Sequence, residues 1–388
     1  MKQNNLKIEP ITFTHLNYIG ESGSNRIAIE YNLSKLFTQN IMYAAYYEPQ
    51  TPQEISAHTG IPESLVKEEV YYLENNGFME QVKKNKYLTL LYITDLPVEV
   101  EIEKHRIFSQ YAKIVCEQYI PELFKVCTDL CRKPISKNIY YPHHDFNFFM
   151  WSVVMFACGH MLNDDDSVTP LSSFFIKGID GSPILPLATI KRETLPREMN
   201  WEKYQAFGEF IFNIEPPELY PMTIWTLNTY YDDRIDNISQ IMIYEFSDLY
   251  DIMANRIKYE KEYVQFIDAV YNRGFIVNDT NDYVNMVITS LSKDQFKDML
   301  PAMPKMFSDL SKKLDQEIYQ LIQSQYPSHL QELTQALNKK LLLSNDLKVR
   351  VLENLLLQGT LLPLPELQRK TVNTIMFSSV LPGEINIK

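Results

Sequence analysis

Glycine is scarce in this chain of 388 residues, which contains 11 glycines where an average usage of about 7% would give about 27. The shortage disfavours nucleotide enzymes built on several glycine-rich loops. The chain also lacks the motifs G-x-S-x-G, H-E-x-x-H and G-x-x-x-x-G-K-[ST], which mark nucleophile, zinc-protease and phosphate-binding sites. We therefore expect no catalytic residues, no cofactor and no enzymatic activity.

Cysteine is also rare, because four cysteines in a chain of this length do not form a disulfide framework. The candidate zinc ligands are Cys127, Cys131, His143, His144, Cys158 and His160. Their spacings are C-x3-C, H-H and C-x-H, which lack the tight pairing of a closed zinc site. Two carboxylate clusters, Asp164–Asp166 and Asp232-Asp233-Asp236, lack the spacing of a calcium-binding EF-hand. We expect no metal site and interpret the cysteines as core residues.

Positive charge and long apolar runs are both limited. The 37 Lys and Arg residues face 49 Asp and Glu residues, which excludes a polybasic nucleic-acid binder but leaves room for a local basic patch. The longest apolar run, Phe146–Leu162, is 17 residues long, whereas a membrane-spanning helix needs about 20. It is interpreted as a buried helix. Because Met1–Pro10 also lacks an apolar signal core, we expect a cytoplasmic protein without membrane contact.

The hydrophobic pattern predicts an α+β fold that is mainly helical. We expect an N-terminal domain at 1–97, an α+β domain at 98–290 and a helical C-terminal region at 291–388, the last two being compatible with a single domain. Residues 1–24 are interpreted as a flexible lead-in. The middle region predicts a short antiparallel meander at 172–232, in which Asp180-Gly181 is a hairpin turn.

Two helices with recognisable ends are predicted near the N-terminus. The first covers Leu33–Tyr47 as an amphipathic helix, with Asn32 or Ser34 as its cap. Its predicted apolar face consists of Leu33, Leu36, Phe37, Met42, Ala44 and Ala45. The second begins at Thr51, and Glu54 follows three residues later, which is the spacing of a capping box. Both predictions rest on local spacing alone.

A third helix and a hairpin follow directly. The helix covers Pro62–Asn76 and ends at Gly77. The second and third helices together are predicted to bury one apolar face, which consists of Ile55, Ile61, Val66, Val70 and Leu73. The period then changes from helical to alternating, which predicts strands at Phe78–Val82 and Tyr87–Ile93. The polar turn between them is Lys83–Lys86.

This order of elements resembles a winged helix-turn-helix domain of the MarR and ArsR type. The motif residues are Thr59-Gly60-Ile61, Leu73-Glu74 and Gly77-Phe78. The resemblance covers roughly 70 of the 388 residues and supports the fold more than the function. It implies a bacterial-type transcription regulator that binds double-stranded DNA as a homo-oligomer. The remainder would then sense a small-molecule or protein effector, or provide the dimer contact.

The resemblance also implies which residues meet DNA. The exposed face of the third helix would enter the major groove, and the hairpin tip would meet phosphates. The residues on the helix are Ser64, Lys67, Glu68 and Tyr71. The residues at the tip are Lys83, Lys84, Asn85 and Lys86.

A protein-docking or dimerisation module without DNA binding is the first alternative. Residues 1–97 carry eight Lys and Arg against eleven Asp and Glu, a net charge of -3. The third helix itself contains Glu63, Glu68, Glu69 and Glu74, and carboxylates repel phosphates. Leucine-rich segments near the C-terminus are compatible with an oligomer contact.

A second alternative is a methyltransferase, because small-molecule O-methyltransferases resemble this N-terminal half and use a winged helix for dimerisation. Their catalytic half requires a parallel sheet with a glycine-rich loop after its first strand. The glycines after residue 97 are isolated or nearly so: Gly159, Gly178, Gly181, Gly208, Gly274, Gly359 and Gly383. The predicted strands also cluster instead of alternating with helices, which disfavours this alternative.

Overall fold

The described part of the chain is mainly helical, with small antiparallel and mixed sheets, which confirms the α+β class. The structure is a computed structural model. It describes residues 10–20, 31–132, 146–160, 169–177, 181, 183–190, 222–226, 276–278, 284–286, 289–292, 304–338, 343–364 and 374–378.

The helices are α1 (Leu36–Ala44), α2 (Pro52–Thr59), α3 (Glu63–Asn75), α4 (Val98–Gln118), α5 (Ile120–Arg132), α6 (Phe146–His160), α7 (Pro304–Ile322), α8 (Gln331–Leu337) and α9 (Leu343–Leu357). The strands are β1 (Phe13–Gly20), β2 (Met79–Lys83), β3 (Lys86–Thr89), β4 (Tyr92–Thr94), β5 (Ile176–Lys177), β6 (Pro183–Ile190), β7 (Met222–Thr226), β8 (Ile276–Asn278), β9 (Val284–Met286), β10 (Thr289–Ser292) and β11 (Thr374–Ser378).

Two compact units divide the chain, and each collects segments that are separated in sequence. The first unit consists of Met1–Lys104, Asp165–Asn200 and Gln316–Lys339. The second consists of His105–Asp164, Trp201–Asp315 and Lys340–Lys388. The domains predicted at 1–97, 98–290 and 291–388 differ from these units, because each predicted domain is one continuous stretch of sequence.

Helix α2 begins and ends as its sequence predicts. The Thr51 hydroxyl accepts from the Glu54 amide at 3.2 Å, and the Glu54 carboxylate accepts from the Thr51 amide at 2.7 Å. These reciprocal bonds satisfy two amides that the helix leaves free, and they confirm the capping box. Gly60 then adopts φ +76° at the end of α2, a left-handed conformation that glycine takes without steric cost.

The predicted caps of α1 are wrong, because both side chains are engaged elsewhere. The residue before α1 is Lys35, which makes no side-chain capping bond. Asn32 accepts from the Tyr72 hydroxyl at 2.6 Å, and Ser34 donates to the Tyr31 carbonyl at 3.0 Å. The helix is also shorter than predicted, since it covers Leu36–Ala44.

The predicted amphipathic face of α1 is partly wrong as well. Leu36 and Phe37 are exposed, whereas Gln39 and Asn40 are buried. The burial is possible because both amides are hydrogen-bonded. Asn40 accepts from the Ile11 amide at 2.9 Å and donates to the Ile11 carbonyl at 3.1 Å. Gln39 accepts from the Phe13 amide at 2.9 Å. Buried amides that keep their hydrogen bonds avoid the cost of desolvation.

The expected flexible lead-in contains strand β1, which corrects the interpretation of residues 1–24. β1 pairs antiparallel with β6, with Phe13 opposite Ile190 and Gly20 opposite Ile184. The register shifts between Phe13 and His15. This bulge interrupts the alternation of apolar and polar residues from which a strand is predicted. β6 also pairs with β4 in parallel. The sheet therefore joins strands that are distant in sequence.

The hairpin after α3 confirms the first predicted strand and corrects the second. β2 and β3 pair antiparallel, with Met79 opposite Thr89. The predicted strand Tyr87–Ile93 is divided, since β3 ends at Thr89 and β4 begins at Tyr92. The break arises because the Leu90 amide still bonds the Phe78 carbonyl at 2.9 Å, while the following residues pair with β6.

The hairpin predicted around Asp180-Gly181 is present, because β5 pairs antiparallel with β6 and Ile176 lies opposite Ile184. A meander of consecutive strands is not what the described residues form. The next described strand, β7, pairs with β11 in a separate sheet. The part of the predicted meander at 191–221 lies outside the described residues. The region 291–388, predicted to be helical, also contains the end of β10 and the whole of β11, and these two strands pair in parallel.

Within the apolar run, Phe146–His160 forms the buried helix α6, as predicted. Phe148, Phe149 and Trp151 are at most 1% exposed. The Trp151 indole donates to the Leu362 carbonyl at 2.9 Å, so the polar edge of the buried ring keeps a partner. No helix of the described residues is long and apolar enough to cross a membrane.

Candidate nucleic-acid interface

The orientation of α3 is determined by the apolar residues that it shares with α2. Ile55, Val66, Val70 and Leu73 are at most 1% exposed, and Ile61 is half-buried. Their burial confirms the predicted core face and turns the opposite side of α3 outward. The turn at Gly60 allows α3 to start close to the end of α2.

The four residues predicted on the outer face of α3 are all exposed. They are Ser64, Lys67, Glu68 and Tyr71, and Tyr71 is 66% exposed. Spacings of three and four residues place them along one side of the helix. The Lys67 ammonium lies 2.7 Å from the Glu63 carboxylate, so part of its charge is neutralised within the helix.

Two further polar residues of α3 face α1 and its N-terminal neighbours. The Thr38 hydroxyl donates to the Glu69 carboxylate, and the Tyr72 hydroxyl donates to Asn32. Burial raises the pKa of Tyr72 above its usual value. The Glu69 carboxylate therefore belongs to the packing of α1 against α3, which reduces the number of acidic groups on the outer face.

The hairpin tip presents its lysines on a two-residue turn. Lys83 and Lys86 lie opposite each other at the end of the ladder, and Lys84 and Asn85 form the turn between them. Asn85 adopts φ +59°, the left-handed conformation that asparagine tolerates better than most residues with a side chain. Asn85, predicted as a DNA contact, therefore has a conformational role in the turn.

The lysines of the tip differ in their partners. The Lys86 ammonium lies 3.4 Å from the Glu54 carboxylate. The hydrogen bond from the Thr51 amide lowers the pKa of Glu54, and Lys86 contributes to the same shift. Lys83 and Lys84 are exposed, and no carboxylate of the described residues lies within 4.0 Å of either. These two ammonium groups are the cations that the tip offers to an external anion.

The base of the hairpin is held to α1 and to the start of α2. The Thr89 amide bonds the Ala45 carbonyl at 3.1 Å, and its hydroxyl donates to the Met42 carbonyl at 2.7 Å. Gln50 and Tyr87 exchange backbone hydrogen bonds at 2.9 and 2.8 Å. The hairpin therefore has a defined position relative to the helices.

A set of apolar side chains is also exposed on α3 and around the start of α1. Its members are Tyr31, Leu36, Phe37, Leu65, Tyr71 and Tyr72. The Lys35 ammonium lies 5.3 Å from the centre of the Tyr31 ring, within the range of a cation–π contact. Exposed apolar groups of this kind are typical of protein contacts when they form one patch.

The cysteines form no site in the described part of the chain. Cys116, Cys127 and Cys158 are buried and not disulfide-bonded, and burial raises the pKa of Cys116 and of Cys158 to about 12. Such thiols are protonated and unreactive at neutral pH. The candidate ligands His143 and His144, the side chains of Cys131 and His160, and both aspartate clusters lie outside the described residues. The described residues contain no metal-binding group of His, Cys, Asp and Glu.

Comparison of the chain with protein-family models, with curated proteins and with solved structures found no match. Nothing in these comparisons assigns a role to the surface of α3 and the hairpin.

Proposed function

We propose that the segment from α1 to β3 is a winged helix that binds double-stranded DNA. In this proposal the chain is a bacterial-type transcription regulator, cytoplasmic and homo-oligomeric, and the remainder senses a small-molecule or protein effector. The observation that supports DNA binding best is the pair Lys83 and Lys84, two exposed ammonium groups at the tip of the hairpin that follows α3 directly in sequence.

Each residue of the interface then has a distinct role. Ser64 and Lys67 lie in the first half of α3, the part that reaches base edges when such a helix enters the major groove. Glu68 can accept a hydrogen bond from the amino group of cytosine. Tyr71 offers an apolar ring to the groove. Lys83 and Lys84 supply the phosphate contacts that determine the register of the protein on the duplex.

The acidic composition limits how strongly such a surface binds. Each phosphate contact contributes a slope of about -0.9 to the dependence of log K on log salt concentration. With Lys67 and Lys86 already paired to carboxylates, we expect a shallow slope and weak binding to random DNA. Specific affinity would then depend on base contacts from α3.

The test is fluorescence anisotropy with a pool of random duplexes, titrated from low to physiological salt. Replacing Lys83 and Lys84 together by Ala should weaken binding to all sequences alike and reduce the magnitude of the slope by about 2. The matched control is the double variant Lys312→Ala, Lys313→Ala, which removes two adjacent exposed lysines from α7. Equal affinity and slope in wild type and the tip variant would refute the phosphate role.

A protein-interaction or dimerisation module is the second candidate, favoured by the exposed apolar side chains of α1 and α3. Replacing Phe37 and Leu65 by Ser removes apolar area without touching the tip lysines. If this surface joins two copies, light scattering after size-exclusion chromatography should show a dimer for the wild type and a monomer for the variant. A monomeric wild type that also fails to bind DNA would leave a partner of another kind as the remaining target.

A further inference from the structure

A short segment near the C-terminus contacts the base of the hairpin. His329 lies in the turn that precedes α8, and its Nε2 atom is 3.0 Å from the Thr89 carbonyl oxygen. Thr89 is the last residue of β3. Its hydroxyl donates to the Met42 carbonyl in α1, and its amide donates to the carbonyl of Ala45, the residue that follows α1. The carbonyl contact therefore completes the set of polar groups that hold the end of the hairpin.

An aromatic contact reinforces the same junction. The rings of Tyr92 and Tyr326 stack with their centres 4.9 Å apart and an interplanar angle of 16°. Both residues are at most 4% exposed. Tyr92 is the first residue of β4, three residues beyond Thr89. The segment Tyr326–His329 therefore contacts the chain on both sides of the break between β3 and β4: His329 contacts the end of β3, and Tyr326 contacts the start of β4.

The hydrogen bond to Thr89 does not depend on the charge of the imidazole. A carbonyl oxygen only accepts, so Nε2 carries the proton, either in the neutral Nε2–H tautomer or in the cation. Partial burial lowers the pKa of His329, which favours the neutral form at pH 7. What the junction requires is a donor at this position, and glutamine presents an N–H group at a similar distance from the backbone.

We propose that His329 is a positioning residue for the hairpin: by donating to Thr89, it holds the base of the hairpin so that Lys83 and Lys84 reach the phosphates. The proposal rests on the DNA-binding function proposed above. It makes the tip dependent on a segment 240 residues away in sequence.

The first arm of the test requires no DNA. In the full chain, hydrogen exchange of the Tyr87 and Leu90 amides reports on the hairpin base, and exchange of the Ile55 amide reports on α2. His329→Leu should accelerate exchange at the two hairpin amides about tenfold and leave Ile55 unchanged. His329→Gln should remain within about threefold of the wild type at every amide. Unchanged exchange at the hairpin in His329→Leu, or equal acceleration at all three amides, would overturn the positioning role.

The second arm measures anisotropy with the random duplex pool. His329→Leu should weaken binding threefold to tenfold, at the order of one lost hydrogen bond, and His329→Gln should restore it. Adding His329→Leu to the Lys83→Ala, Lys84→Ala variant should cause no further loss, because both changes remove the same phosphate contacts. Additive losses would overturn the inference. If the wild type binds no duplex at the lowest salt, the proposed function fails, and the exchange arm alone decides whether His329 positions the hairpin.

Discussion

The first unit contains two small sheets that are built in opposite ways. β2 and β3 are neighbours in sequence and pair through a turn of two residues. β6 instead pairs with β1, from which more than 160 residues of chain separate it, and with β4. A local hairpin costs little loop-closure entropy, whereas the second sheet exists only when distant segments are brought together. The hairpin carries the tip lysines. The long-range sheet of β1, β4, β5 and β6 is called the frame.

The largest expected effect comes from removing the frame. A fragment of residues 1–97 keeps α1 to α3 and the hairpin but loses β6 and the segment that contacts Thr89 and Tyr92. We expect it to lack a cooperative thermal transition, because β1 and β4 have no partner strand. Circular dichroism of the fragment and the full chain makes the comparison. A sharp transition in the fragment would show that the hairpin and helices are stable without the long-range sheet.

A smaller effect is expected at the junction of α1 with the residues before β1. Asn40→Ala removes the side-chain amide that hydrogen-bonds both the amide and the carbonyl of Ile11. Ile11 is buried, so these two backbone groups would be left without partners. Leaving them without partners should lower the free energy of unfolding by about 2 kcal/mol. The matched control is Ser34→Ala on an exposed side chain with one local bond, where we expect a change within about 0.5 kcal/mol. Urea unfolding followed by fluorescence measures both, and equal losses would contradict this account of Asn40.

The same contrast explains how much could be predicted from the sequence. The capping box of Thr51 and Glu54 could be predicted because its partners are three residues apart. The core positions of α2 and α3 follow from helical spacing in the same way. The inward side of α1 could not be predicted, since Asn40 is buried only because Ile11 supplies its partners across 29 residues. Spacing within the helix instead suggested that Leu36 and Phe37 were inside.

The candidate site shows the same division between local and distant information. The exposed face of α3 and the lysine tip could be predicted from local pattern. The pairing of Lys86 with Glu54 and the contact of His329 with Thr89 could not, because the partners are 32 and 240 residues apart. The bulge in β1 had a similar effect, since a shift in register breaks the alternation from which a strand is predicted. Local signals therefore predicted the surface but not the contacts that hold it in place.

The smallest effect is expected at Asn85, where the local hairpin is tested alone. Its φ of +59° is strained for alanine by about 1 kcal/mol, whereas glycine adopts it freely. Asn85→Ala should therefore lower the free energy of unfolding by about 1 kcal/mol, while Asn85→Gly should leave it within about 0.5 kcal/mol. Asn75→Ala, at the exposed end of α3, is the control for loss of an asparagine in an ordinary helical conformation.

Duplex affinity separates this conformational role of Asn85 from a direct contact. If Asn85 only shapes the turn, Asn85→Gly should bind duplex DNA as the wild type does, because Lys83 and Lys84 keep their positions. If its amide contacts a phosphate, Asn85→Gly should weaken binding while stability is unchanged. We expect Asn85→Gly to bind duplex DNA as the wild type does, because the turn requires a left-handed residue whatever the tip binds. A loss of affinity without a loss of stability would instead show that Asn85 contacts DNA.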